Sequence, residues 1–149
     1  MADTDLTQAE ADYLIALDKY AEDQRAWPYP IGGGKLSIPL RSEDWRETFL
    51  LDLRRARIDL FKRTHQTRAR KVYPLVRLDI GSNRHRNPDG EWIGPIHIHH
   101  YREGYGDKWA EEVPVGVFRD LADPILTLDD FMRYCNIVDP PIFQASGMP

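Results

Sequence analysis

The sequence has a single cysteine, Cys135, among 149 residues. A lone thiol cannot close an internal disulfide, which fits a reducing cytoplasm. Its neighbours are apolar and helical in pattern, so Cys135 is expected to be buried and inert. No apolar run approaches the 18 or so residues of a membrane-spanning helix. Met1-Ala2-Asp3-Thr4-Asp5 is acidic, without the apolar stretch of a secretory signal. No Gly-x-Ser-x-Gly elbow is present, and no histidine lies near Cys135, so serine or cysteine hydrolase chemistry has no support. Gly32-Gly33-Gly34 precedes Lys35 but leads into an alternating, strand-like segment. A phosphate-cradling P-loop would lead into a helix, so that reading falls away. No internal repeat and no domain boundary stand out.

What remains is an ordinary globular composition, 42% apolar and 30% charged, long enough for one domain with a real core. The net charge of −4 hides a pattern. Residues 1–24 carry seven acids and one base, and residues 103–149 carry nine acids and three bases. Between them, residues 41–86 carry eleven Arg and two Lys against six acids, a local net of +7. Arg exceeds Lys fifteen to five, and its planar fork suits phosphate. Two readings follow: a polyanion-binding face, or outward arginines that pair with the acidic ends of the chain.

Thr7 as cap, Glu10 three residues on, and Tyr13, Leu14, Leu17 and Tyr20 at helical spacing predict a helix over about 7–23. A strand is expected over 35–40. Phe49, Leu51 and Leu53 alternate in 47–54, and Ile58 and Leu60 alternate in 57–64, with Arg55-Ala56 as the turn of a hairpin. A further strand covers 72–80, with Pro74 at an edge or bulge. Asn87-Pro88-Asp89-Gly90 is a turn signal. Strands are expected over 96–102 and 108–113. A last helix, capped by Thr127, runs to Cys135, and Pro140-Pro141 follows it. The tail from about 144 to 149 is expected to be loose. The fold class is therefore α+β: a single domain with a curved antiparallel sheet over about residues 35–113 and a helix near each end.

The chemistry concentrates in Pro95-Ile96-His97-Ile98-His99-His100-Tyr101-Arg102-Glu103. Three of the five histidines fall within four positions. Strand alternation puts His97, His99 and Tyr101 on one face, and Ile96, Ile98 and His100 on the other. One reading is metal-free phosphodiester cleavage, most plausibly of RNA. His97 and His99 would act as acid and base, Tyr101 would assist, and Arg84, Arg86, Arg102 and Lys108 would hold phosphate. Tyr105 and Trp109 could stack bases. A second reading is a metal site of His97, His99 and Glu103. That spacing resembles part of the first cupin motif, but Ala110 stands where its glycine would be. No histidine follows His100, so His85 or His65 would have to supply a further ligand. A third reading is structural, with half-buried strand histidines in a module that binds without turnover. Of these, phosphate chemistry without a cofactor outranks the metal site, and the structural role remains the reading to beat.

Residues 75–79, 87–90 and 97–110 match "L-x-R-L-D", "N-P-D-G" and "H-I-H-x-Y-R-E-G-Y-G-D-K-W-A". The chain resembles an uncharacterised bacterial and phage family known as a domain of unknown function. The resemblance implies a protein of phages and mobile elements: a toxin, an anti-defence protein or a host-takeover factor. The partners implied are nucleic acid, RNA favoured, or a host or defence protein, and for a toxin a cognate antitoxin. A cytoplasmic protein without membrane contact is expected, and the oligomeric state stays open.

Overall fold

A computed structural model describes residues 5–144. The expected loose tail lies, from residue 145 onward, outside the described residues. Thr7 and Glu10 form a reciprocal capping box at the start of α1 (Gln8–Ala16). The helix ends well short of residue 23. Leu17 turns extended, and Lys19–Ala21 becomes strand β1. The reason is tertiary. The Lys19 ammonium donates to Ile15 O, Leu17 O and Cys135 O at 2.8–3.0 Å, so it caps the ends of both helices from within.

After β2 (Ala26–Trp27), four long strands form an antiparallel meander: β3 (Lys35–Arg41), β4 (Thr48–Arg55), β5 (Arg63–Ala69) and β6 (Tyr73–Ile80). The hairpin after β4 is not the two-residue turn at Arg55-Ala56. Residues 56–62 form the connection, and Ile58 is 91% exposed. The inward face of β5 is His65, Thr67 and Ala69, so the strand carries almost no apolar alternation to betray it. Pro74 sits at the register irregularity opposite Arg68, the expected bulge.

The short hairpin β7 (His85–Arg86) and β8 (Trp92–Ile93) turns through Asn87-Pro88-Asp89-Gly90, where Gly90 takes φ +90°. Then come β9 (Ile96–His100), β10 (Ala110–Glu112), α2 (Pro124–Tyr134), β11 (Ile137–Asp139) and β12 (Ile142–Phe143). The cap of α2 is Asp123, which accepts from Ile125 N and Leu126 N, with Pro124 opening the helix. Thr127 is instead buried inside the first turn, its hydroxyl on Asp120 O and Asp123 O.

The fold is α+β. One eight-stranded sheet has the order β10-β9-β6-β5-β4-β3-β1-β11, antiparallel except for the β1–β11 pair. The sheet thus reaches beyond residues 35–113 at both ends of the chain. One face buries Phe49, Leu51, Leu53, Leu78, Ile80 and Ile98 against Leu14, Leu128 and Phe131 of the helices. The other face is polar. Along it Ser37, Asp52, Gln66, Arg77 and His99 pair in register across five strands. Among the described residues no helix is long and apolar enough to cross a membrane.

Candidate metal centre

The pairing of β6 with β9 sets Arg77 opposite His99 and Asp79 opposite His97. Directly opposed residues project to the same face, so all four meet on the polar side while Leu78 and Ile98 enter the core. The β7–β8 hairpin adds His85 over them. It is tied down twice. His85 Nε2 meets Lys108 O at 2.7 Å, and the Asn87 side chain exchanges two 2.8 Å hydrogen bonds with the Ala110 backbone. The three imidazole centroids lie 4.7–5.6 Å apart, with one nitrogen of each within 4.8 Å of the others.

The hydrogen bonds assign the nitrogens. His97 Nδ1 faces Gly94 O at 2.7 Å, and His85 Nε2 faces Lys108 O. Each must donate there, which leaves His97 Nε2 and His85 Nδ1 as the inward donors. Backbone carbonyls holding the remote N–H is how metal-binding histidines are usually oriented. His99 Nδ1 is buried without a partner among the described residues. Asp79 Oδ2 lies 3.2 Å from both His97 Nε2 and His99 Nε2. A tetrahedral ion with bonds of about 2.0–2.1 Å spaces its donors roughly 3.3 Å apart, and the two distances from Asp79 Oδ2 match that spacing.

The charges are arranged around Asp79. Arg77 reaches Asp79 Oδ2 (3.1 Å), Asp107 Oδ2 (2.6 Å) and His99 Nε2 (2.9 Å), and Thr64 donates to Asp79 Oδ1 (3.1 Å). Burial pushes the Asp79 carboxyl up, but hydrogen bonds from His97 and His99 and the Arg77 charge outweigh it and hold Asp79 far below the usual carboxylate range. Burial pushes His97 down, yet its bonds to Asp79 and Gly94 O leave it raised. His97 thus has an oxygen acceptor at each nitrogen, Gly94 O at Nδ1 and Asp79 Oδ2 at Nε2.

The structure brings together His97 and His99 as expected, and adds His85. The other residues named from sequence lie elsewhere. Tyr101 is buried away from the cluster, its hydroxyl accepting from Leu6 N and donating to Leu6 O. Glu103 accepts from Gln8 N. Arg84 and Arg86 stack on Trp92, and Arg102 stacks on Trp109. Lys108 contributes its carbonyl oxygen. His65 packs on Phe131 on the opposite face, where burial and then Arg63 push it down to about 3. His100 points away from His99, toward Tyr134 and Glu111. Asp79 was missed because only strand register places it beside His97. Its position two after Arg77 in an alternating strand was the one available hint.

A family model described as a family of unknown function (DUF6978) matches residues 6–137. No curated protein and no solved structure matches the chain.

Proposed function

This chain belongs to the DUF6978 family, and we propose that its working centre holds one first-row transition-metal ion at His85, His97 and His99. The observation that carries this is the convergence of three imidazoles, two with their remote nitrogen fixed by a backbone carbonyl. Imidazole with carboxylate favours zinc first, then iron, nickel or copper. With Asp79 as fourth donor the site is closed, and the ion fastens the β7–β8 hairpin to the sheet. The burial of His97 and His99, 2% and 0% exposed, supports this closed form. The protein then works as a metal-braced binding module on nucleic acid or on a host protein.

A second reading rests on Asp79. Arg77 and Thr64 already hold its two oxygens, and if they keep them the fourth position falls to water. Such an ion would lower the pKa of its bound water toward neutrality, and the resulting hydroxide could displace an ester oxygen from a phosphate ester, RNA included. The burial of His97 and His99 gives less support to metal-free acid–base cleavage by that pair.

The test is metal analysis and titration calorimetry with Zn²⁺ on EDTA-dialysed protein. One ion per chain is expected, lost in His97→Ala and His99→Ala and weakened in His85→Ala. Wild-type protein that binds no divalent ion ends the proposal. Cleavage of RNA that needs the ion selects the second reading.

A further inference from the structure

A second charged feature lies beside this site on the same polar face. A pocket of about 250 Å³ is lined by Arg54, Ala56, Arg57, Lys62, Arg63 and Thr64. Four of these six residues are basic and none is acidic. Lys35 pairs in register with Arg54, and Arg54 with Thr64, so Lys35 shares their face.

The cations of this region stand apart from those elsewhere. Arg68 pairs with Asp52, Arg70 with Glu47, Arg77 with Asp79 and Asp107, and Arg119 with Asp129 and Asp130. Lys35, Arg54, Arg57 and Lys62 have no ion pair among the described residues. Nearby acids are engaged: Asp52 by Arg68, Ser37 and Gln66, and Asp59 by Phe61 N.

Two guanidinium groups here are buried, Arg63 in the pocket lining and Arg55 paired opposite it on β4. Arg63 is 2% and Arg55 8% exposed, and neither has a carboxylate within ion-pair distance among the described residues. Arg55 donates to Leu60 O, and Arg63 to Leu121 O, while Arg63 Nε has no partner there. A buried, unneutralised guanidinium is costly, and low-dielectric surroundings extend its field outward. Four positive charges thus line this pocket, Arg55 and Lys35 lie next to them in register, and among the described residues no carboxylate comes within ion-pair distance of any of the six.

We propose that this pocket binds a phosphate-type oxyanion, with Arg54, Arg57 and Lys62 as its direct contacts and buried Arg55 and Arg63 supplying fixed positive charge. Arginine forks suit phosphate oxygens bidentately, and the mobile Lys62 acts as a point charge. The glycine run does not serve as a phosphate cradle: Gly33 N donates to Arg55 O and Gly34 N to Ile31 O. The pocket wall also bears on the metal centre, since Thr64 Oγ1 donates to Asp79 Oδ1. A phosphate group here would lie two to three strand spacings, roughly 10–15 Å, from His97. The site deepens the reading of a polyanion-binding module but needs no metal.

Calorimetric titration of full-length protein in EDTA with inorganic pyrophosphate tests it. Saturable binding that weakens steeply with salt is expected. The Arg54→Ala/Arg57→Ala double variant should bind at least tenfold more weakly, and Arg133→Ala on α2 should match wild type. The three replaced side chains are exposed, and far-ultraviolet circular dichroism checks that the variants fold. A short single-stranded oligonucleotide run beside pyrophosphate separates the sources. Tighter binding of the oligonucleotide assigns a nucleic-acid phosphodiester, and tighter binding of pyrophosphate assigns a free or terminal phosphate. No binding at millimolar pyrophosphate, equal losses in all variants, or binding that appears only with added metal overturns the pocket. None of these outcomes touches zinc stoichiometry, so the metal centre stands or falls separately.

Discussion

Asp79 Oδ2 lies 3.2 Å from His97 Nε2 across the β6–β9 pair, and the contact fixes the charge of both groups. Asp79 is 8% exposed, so its carboxylate depends on these partners in place of water. Replacing it by the isosteric amide leaves Arg77 and His97 facing a neutral group. Asp79→Asn is expected to destabilise the metal-free protein by about 3 kcal/mol, the usual scale for breaking a buried pair. The sign with pH follows from both shifts. The lowered Asp79 contributes above the ordinary carboxylate value, and this part fades as acid protonates it. The raised His97 contributes below the ordinary histidine value, and this part is lost as pH rises through its folded value. Urea unfolding at pH 5.5, 7.5 and 9 should therefore show the variant's deficit shrinking toward pH 9. A deficit equal at all three would refute the pairing.

An ion at the centre must displace the His97 proton that now points at Asp79. Metal affinity should fall by about tenfold per pH unit for each proton displaced once His97 is protonated. Calorimetry at fixed pH in two buffers of different ionisation enthalpy counts those protons. Zero protons released at pH 6 would place the ion somewhere other than on His97 Nε2.

The sheet's central meander was legible because Phe49, Leu51 and Leu53 alternate cleanly on β4 and are buried. β5 was misplaced because its inward residues are polar or small, so the exposed Ile58, Leu60 and Phe61 drew the strand toward themselves. The early end of α1 was invisible because it depends on Lys19 meeting Cys135 O, a contact across 116 residues. Alternation correctly paired His97 with His99 and sent His100 away. It misjudged Tyr101, since β9 ends at His100 and the chain turns so that the ring enters the core. The basic middle segment was visible as a count. Which arginines lack partners was not, because Asp52 and Glu47 reach theirs only through strand register.

Lys19 is a buried cation held by three carbonyl oxygens, with the Phe49 ring 5.0 Å away. Burial pushes its ammonium down to about 8 from the usual lysine range. The unfolded chain then binds more protons than the native one between about pH 8 and the ordinary lysine value of about 10.4. Wild type should gain stability relative to Lys19→Met across that window. At pH 7 the variant should be weaker by about 1–3 kcal/mol, because three helix-end carbonyls lose their donor. Guanidinium unfolding at pH 7 and pH 10 reads both effects, and a pH-independent difference would show that Lys19 titrates normally.

Cys135 sits 1% exposed beside that ammonium, with burial raising its thiol to about 12. It should resist a thiol reagent in native buffer at pH 8 and react fully in denaturant. Native reaction as fast as that of free cysteine would mean that the region around Lys19 opens readily.

Tyr101 offers the sharpest division between a catalytic and a structural role for the histidine stretch. Its hydroxyl accepts from Leu6 N at 3.0 Å and donates to Leu6 O at 3.1 Å, closing the chain's start onto the end of β9. Both contacts are buried, so Tyr101→Phe strands one amide and one carbonyl and should cost about 1–3 kcal/mol in chemical unfolding. The loss should appear locally as faster hydrogen exchange at Leu6 and the first turn of α1, where the segment is tied by this bridge. Zinc stoichiometry and pyrophosphate affinity should both stay at wild-type values, because neither His97 nor Arg54 touches the phenol. A variant that folds as stably as wild type yet loses ligand binding would return Tyr101 to the functional site.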